Sequence, residues 1–205
     1  MRTESGKPVR FVPPGEKDAY YEVKVFETGR VATRPDNLHD FFNALAWLAF
    51  PRTKAKVNAL HAAEIPREGG RRGRLRDLLT IFDEGGAIVQ CDDPELVALL
   101  RNFQWKKLFW NHRDPVRAAM RIVVPGHAVL EKALEPWPGI TCKAIVVPAA
   151  ADPDAAAAAW LERLAPGASP RELAPLPVFG FPGWLPQDEA FYDDMRYFRP
   201  LRANR

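Results

Sequence analysis

The sequence predicts an α+β fold in a single domain, and three observations carry that expectation. At 205 residues the chain has room for one substantial core. With 47% hydrophobic and 27% charged residues and a mean hydropathy of -0.27, it has the composition of an ordinary globular protein. Short β-branched and aromatic runs bounded by glycine alternate with longer capped stretches of helical period, and no internal repeat is present.

Element by element, residues 1–18 are polar and broken by Pro13-Pro14-Gly15, so they read as a loosely ordered leader ahead of a domain spanning 19–205. Tyr20 to Phe26, the turn Glu27-Thr28-Gly29 and Arg30 to Thr33 read as a β-hairpin. Asp36 or Asn37 caps a helix to about Phe50, where Pro51 ends it. A second helix, 52–64, turns Val57 and Leu60 to the core and places Lys54, Asn58 and His61 on another stripe. Residues 67–76, with five arginines and three glycines, suit an exposed loop. Leu78 to Phe82, the turn Asp83-Glu84-Gly85-Gly86 and Ala87 to Gln90 read as a second hairpin. Asp93-Pro94 is an N-cap with proline at the first helical position, opening a helix through about Trp110. Then follow a strand at 120–124, a short helix at 127–134 and a strand at 140–147. An alanine-rich helix at 154–164 reads as peripheral packing. The segment 166–205 is rich in proline and aromatic rings, and predicts an extended strap that buries those rings over the domain.

Charge and cysteine content narrow the function classes. A net charge of +3 gives little long-range field, which argues against nucleic acid as partner. No run approaches the ~18 apolar residues of a membrane span, and the first ten residues hold no apolar secretory signal. Cys91 and Cys142 form neither a disulfide framework nor a metal motif, so a cytoplasmic protein with reduced thiols is expected.

The segments Tyr21-Glu22, Thr33-Arg34, His39-Asp40-Phe41-Phe42-Asn43-Ala44-Leu45-Ala46-Trp47 and Phe50-Pro51-Arg52 with Lys54 and Asn58 form a recognisable series. It continues through Arg76-Asp77, Thr80 to Glu84, Gly126-His127-Ala128 with Glu131-Lys132, Phe179 to Trp184, Phe191 to Asp194 and Phe198-Arg199-Pro200. In combination they resemble a bacterial family catalogued as domain of unknown function 3025, from about Tyr20 to Arg202. The resemblance implies a bacterial single-domain protein and transfers no mechanism. Leu38 departs from the family pattern, which has tryptophan there, and the segment before Tyr20 is short for the family.

The polar residues offer several constellations. His39, Asp40 and Asn43 share one helix face, where a histidine beside a carboxylate serves as a base or metal ligand; the bland alternative is the wet face of a mostly buried helix. His127 and Glu131 lie one helical turn apart, with His127 at a helix start that favours neutral imidazole, or they are simply a capping histidine and a surface acid. Asp83 and Glu84 gain interest as metal ligands only if they reach His39 and His127. Arg71, Arg72 and Arg74 could bind phosphate, or be a solvated loop. Two function classes follow. The first is an enzyme, best read as a metal-assisted hydrolase with a divalent cofactor, acting on a small molecule. The second is a non-catalytic protein engaging a phosphate-bearing or protein partner through residues 67–76 and aromatic surfaces.

Overall fold

The computed structural model describes residues 1–15, 20–69, 71–137, 139–185 and 187–201. The leader's residues 16–18, Gly70 of the arginine loop and residues 202–205 of the strap lie outside the described residues. A sheet of four strands organises the domain: β3 (Gly86–Gln90), β4 (Arg121–Val123), β5 (Thr141–Val147) and β6 (Ala174–Pro177), in the order β4-β3-β5-β6. β3 pairs parallel with β5, with Ile88 opposite Ile145, and both outer pairings are antiparallel. Because side chains alternate along a strand, Ala87, Val89, Cys142 and Ala144 face one core while Ile88, Ile145 and Val147 face another. The protein is a single α+β domain.

On the Ile88 face pack α3 (Pro51–Glu64), α4 (Arg74–Gly85) and α8 (Pro153–Glu162), through Val57, Leu78, Leu79, Phe82 and Leu161. α8 does more than pack. The buried Asp154 accepts hydrogen bonds from the backbone N–H of Arg52 (2.9 Å) and Thr53 (2.7 Å), satisfying donors orphaned at the start of α3.

Both expected hairpins are helix followed by strand. Tyr21–Thr28 forms α1, with Val25 fixed against Val31, Trp47 and Ala55. Gly29 ends it at φ 71 with its N–H on the Val25 carbonyl, so the glycine is a helix cap and not a hairpin turn. A strand-like composition yields here to tertiary packing. Likewise Leu78, Leu79 and Phe82 are buried at helical spacing on α4, which places Asp83 and Glu84 in its last turn. The leader is also more ordered than expected: β1 (Arg10–Val12) pairs in parallel with β2 (Arg30–Ala32).

The helix expected through Trp110 breaks. α5 (Pro94–Arg101) stops at Asn102, Phe103 adopts φ 56 with its ring stacked on Trp105, and a π-helical turn Lys107–Asn111 leads into α6 (Arg113–Ala119). The break lets Trp105, Leu108 and Phe109 enter the Val89 core, where the Trp105 indole N–H donates to the Arg199 carbonyl. Beyond β6 the strap is less extended than expected, coiling in short turns at Val178–Gly180 and Ala190–Asp193. It buries Phe179, Tyr192, Tyr197 and Phe198 and leaves Trp184 exposed.

Two remaining helices frame the site. α2 (Leu38–Ala49) is not buried on most sides: Leu38, Phe41, Leu45 and Leu48 are exposed, and Ala46 and Trp47 face inward. α7 (His127–Lys132) starts after Gly126, which approaches the backbone of Gly86 so closely that a Cβ on Gly126 would lie 2.5 Å from the Gly86 nitrogen. The Gly126 N–H donates to the Gly86 carbonyl at 3.2 Å.

Candidate metal centre

Three helices remote in sequence bring their polar residues to the mouth of one cleft of about 400 Å³. α2 supplies His39 from its first turn, α4 supplies Asp83 and Glu84 from its last, and α7 supplies His127 and Glu131. His39 Nδ1 lies 3.1 Å from Glu131 Oε2, and His127 Nδ1 lies 2.8 Å from the Asp83 backbone oxygen. A carboxylate and a carbonyl can only accept, so each Nδ1 carries the hydrogen and each Nε2 of the neutral ring carries a lone pair.

Those two Nε2 atoms face each other 3.1 Å apart. Glu84 Oε2 completes the triangle, 3.8 Å from His39 Nε2 and 3.6 Å from His127 Nε2. A tetrahedral ion at about 2.1 Å from each ligand spaces its ligand atoms roughly 3.4 Å apart, so the three edges bracket the value such an ion requires. The oriented Nδ1 groups are the second layer of a metal site, fixing tautomer and ring direction. With side chains 35% and 41% accessible, His39 and Glu84 leave open the side from which further ligands approach.

Beneath the triangle lies an ionic layer built on the buried Lys54 and the half-buried Asp83 and Asn43. The Lys54 ammonium donates to Asp83 Oδ1 (2.5 Å) and Asn43 Oδ1 (2.7 Å) and lies 5.8 Å from the centre of the Trp47 ring. Burial pushes the Asp83 carboxyl upward, but Lys54 and His127 outweigh it and its pKa falls below the ordinary carboxylate value. Burial lowers the pKa of His127, with Lys54 acting in the same direction. Burial and the Asp83 charge raise the Tyr21 phenol, which lines the cleft beside Asn43.

Of the residues singled out in the sequence, His39, His127 and Glu84 converge on one point and Glu131 orients His39. Glu131 touches His39 and not, as its spacing suggested, His127. The Asp83 carboxylate serves Lys54. Asp40 is engaged elsewhere, accepting from the Arg34 backbone (2.7 Å) and guanidinium (2.9 and 2.8 Å), and that hydrogen bonding lowers its pKa. Arg72 of the arginine loop is occupied by Asp77 and Thr80, while Arg71 and Arg74 are exposed. Lys54, Asn58 and His61, given no role from sequence, line the cleft floor. Their signal was the i, i+4, i+7 polar stripe, although Val57, expected on a separate core stripe, stands beside them on the same buried face of α3.

Cys91 and Cys142 are buried free thiols, and burial raises Cys142 to about 12. No helix among the described residues is long and apolar enough to cross a membrane. Comparison with curated proteins and with solved structures returns no match. The family model described as "Protein of unknown function (DUF3025)" matches residues 9–202, nearly the whole chain, and the chain belongs to that family.

Proposed function

We propose that the protein is a metal-assisted hydrolase whose divalent cation is held by His39 Nε2, His127 Nε2 and Glu84 Oε2. The observation that carries this is the pair of Nε2 lone pairs 3.1 Å apart, locked in place by acceptors on both Nδ1 atoms. Two lone pairs at that distance repel unless a proton or a metal cation lies between them, and the neighbouring carboxylate, on the same side of both rings, adds the third ligand and the charge that favour a divalent ion over a shared proton. Two imidazoles and a carboxylate suit zinc and related late first-row ions better than magnesium or calcium. When bound, such an ion polarises a carbonyl or phosphoryl oxygen and makes water a stronger nucleophile. Glu131 keeps His39 in the ligating tautomer, and Lys54 holds Asp83 so that its carbonyl does the same for His127.

The test is metal titration of the purified protein by calorimetry with Zn²⁺, together with elemental analysis and the electronic spectrum of the Co²⁺ form. One ion per chain is expected, with binding abolished in H39A, H127A and E84Q and weakened about 10- to 100-fold in E131Q. Turnover of chromogenic ester, phosphoester and amide substrates should track metal occupancy. Absence of stoichiometric metal, or binding indifferent to these substitutions, would overturn the assignment; selective Fe²⁺ occupancy without hydrolysis would overturn the reaction class.

A further inference from the structure

Charge pairing around the cleft decides what it can admit. Among the described residues that line it, the cationic side chains are Arg34 and Lys54, and each already has a carboxylate partner. Lys54 donates to Asp83 and Asn43 and lies against the Trp47 ring. Arg34 is 57% accessible, yet Asp40 accepts from its Nε at 2.9 Å and from its Nη2 at 2.8 Å. That two-pronged pairing is the one a ligand carboxylate or phosphate would otherwise make. Asp40 also accepts from the Arg34 backbone N–H at 2.7 Å, which fixes the pair at the root of the side chain. Behind the lining, Arg76 is held by Glu68 at 2.8 Å, with Glu22 3.8 Å away.

The carboxylates of Glu22, Asp40, Asp83 and Glu84 line the same cleft. With its imidazoles neutral, these acids outnumber the two cations by the charge that a divalent ion at the centre brings. The loaded cleft is therefore electrically balanced, and its lining offers an incoming anion no uncommitted guanidinium or ammonium. A carboxylate or phosphate drawn into it loses hydration and gains no counter-charge beyond the ion itself. Phosphoryl transfer relies on arginine, lysine or metal clamps on several non-bridging oxygens at once, and a single ion leaves most of those oxygens unmet.

We infer that the metal-loaded cleft takes an uncharged acyl substrate, a carboxylic ester or amide, and that Asp40 is the positioning residue that sets this selectivity by occupying Arg34. Phosphate mono- and diesters are anions at neutral pH and are disfavoured on the same ground. Asp40 follows the ligand His39 in the first turn of α2, so the guanidinium it neutralises stands on the part of the cleft where the ion is bound. The inference rests on the proposed hydrolysis at the metal and narrows its substrate class.

The test uses the Zn²⁺-loaded full chain and two esters of nearly the same shape, 4-acetoxybenzamide, which is neutral, and 4-acetoxybenzoate, which is anionic. Each kcat/KM is normalised to the ester's own alkaline hydrolysis, and 4-nitrophenyl phosphate and bis(4-nitrophenyl) phosphate are assayed beside them. The neutral ester is expected to be favoured at least about tenfold, with neither phosphate turned over above the zinc-free rate. Asp40→Asn frees Arg34 and should narrow that preference about two- to fivefold, the range of a partly exposed ion pair, and adding Arg34→Gln should restore it. Both substrates are read on one protein, so a general loss from disturbing His39 cancels in the ratio. Equal or better turnover of the anionic ester, a phosphate ester as the better substrate, or no turnover of either acyl ester overturns the inference. An unchanged ratio in Asp40→Asn overturns the role of Asp40. Failure of the proposed function has a different signature, no stoichiometric zinc or activity indifferent to it, whereas zinc-dependent turnover of phosphates defeats this inference alone.

Discussion

His61 titrates at a cost that the fold bears. Burial pushes its pKa down to about 4, whereas in the unfolded chain it lies near the ordinary 6.5. Below pH ~6.5 the unfolded chain takes up a proton that the native chain refuses, so this residue's contribution to stability falls as pH drops from 6.5 toward 4. The slope approaches about 1.4 kcal/mol per pH unit. Urea unfolding of the unmodified chain and of His61→Gln at pH 7.5, 6.0 and 5.0 is expected to show the gap between them narrowing toward acid pH; a constant gap would contradict it. At this scale much of the site is legible: type and local spacing single out His39, His127 and Glu131, whereas Glu84 gains interest only on condition that it reaches the histidines. What the sequence hid was pairing across helices. Glu131 turns to His39, Asp40 to Arg34 and Asp83 to Lys54, choices made by tertiary distance that no local spacing encodes.

Secondary structure divides along a similar line. Where a terminus carried chemistry of its own, the reading held: Asp93 accepts from the N–H of Glu95 and Leu96, and Asn37 from that of Asp40. Where composition alone spoke, as in Tyr20 to Phe26 and Leu78 to Phe82, β-branched and aromatic residues entered helices: Leu78, Leu79 and Phe82 are buried at helical spacing, and Val25 anchors α1 against Val31, Trp47 and Ala55. The strap shows the same mixture. Its rings were legible as buried, its turns were not, and its clasp is Tyr197, whose hydroxyl accepts from the Phe179 N–H (3.0 Å) and donates to the Ile140 carbonyl (2.7 Å). Tyr197→Phe strands both partners in the core and is expected to cost about 1–3 kcal/mol. Deletion of residues 175–205 withdraws β6 pairing with Phe179, Tyr192 and Phe198, each worth several kcal/mol against a total of about 5–15, and should abolish cooperative thermal unfolding. Unchanged melting of either variant would refute the clasp.

Across the whole molecule, the three proposed ligands stand at positions 39, 84 and 127 on different helices, a geometry the unfolded chain does not possess. An ion bound there stabilises the native state by mass action, about 2.7 kcal/mol at a hundredfold excess over Kd. For a domain of this length that is a rise of roughly 5–10 °C in Tm. Scanning calorimetry should show the rise with Zn²⁺, its reversal by EDTA, and no rise in H127A; equal rises in both proteins would place the ion elsewhere. The contact between Gly126 and Gly86 then acquires a mechanical meaning. It is the point where the jaw carrying His127 rests on the sheet, with no side chain between the two backbones. A single methyl on Gly126 would act as a shim, pressing on the backbone of Glu84, Gly85 and Gly86 and lifting the imidazole away from its opposite number, so the bite of the centre is gauged by an atom that Gly126 lacks.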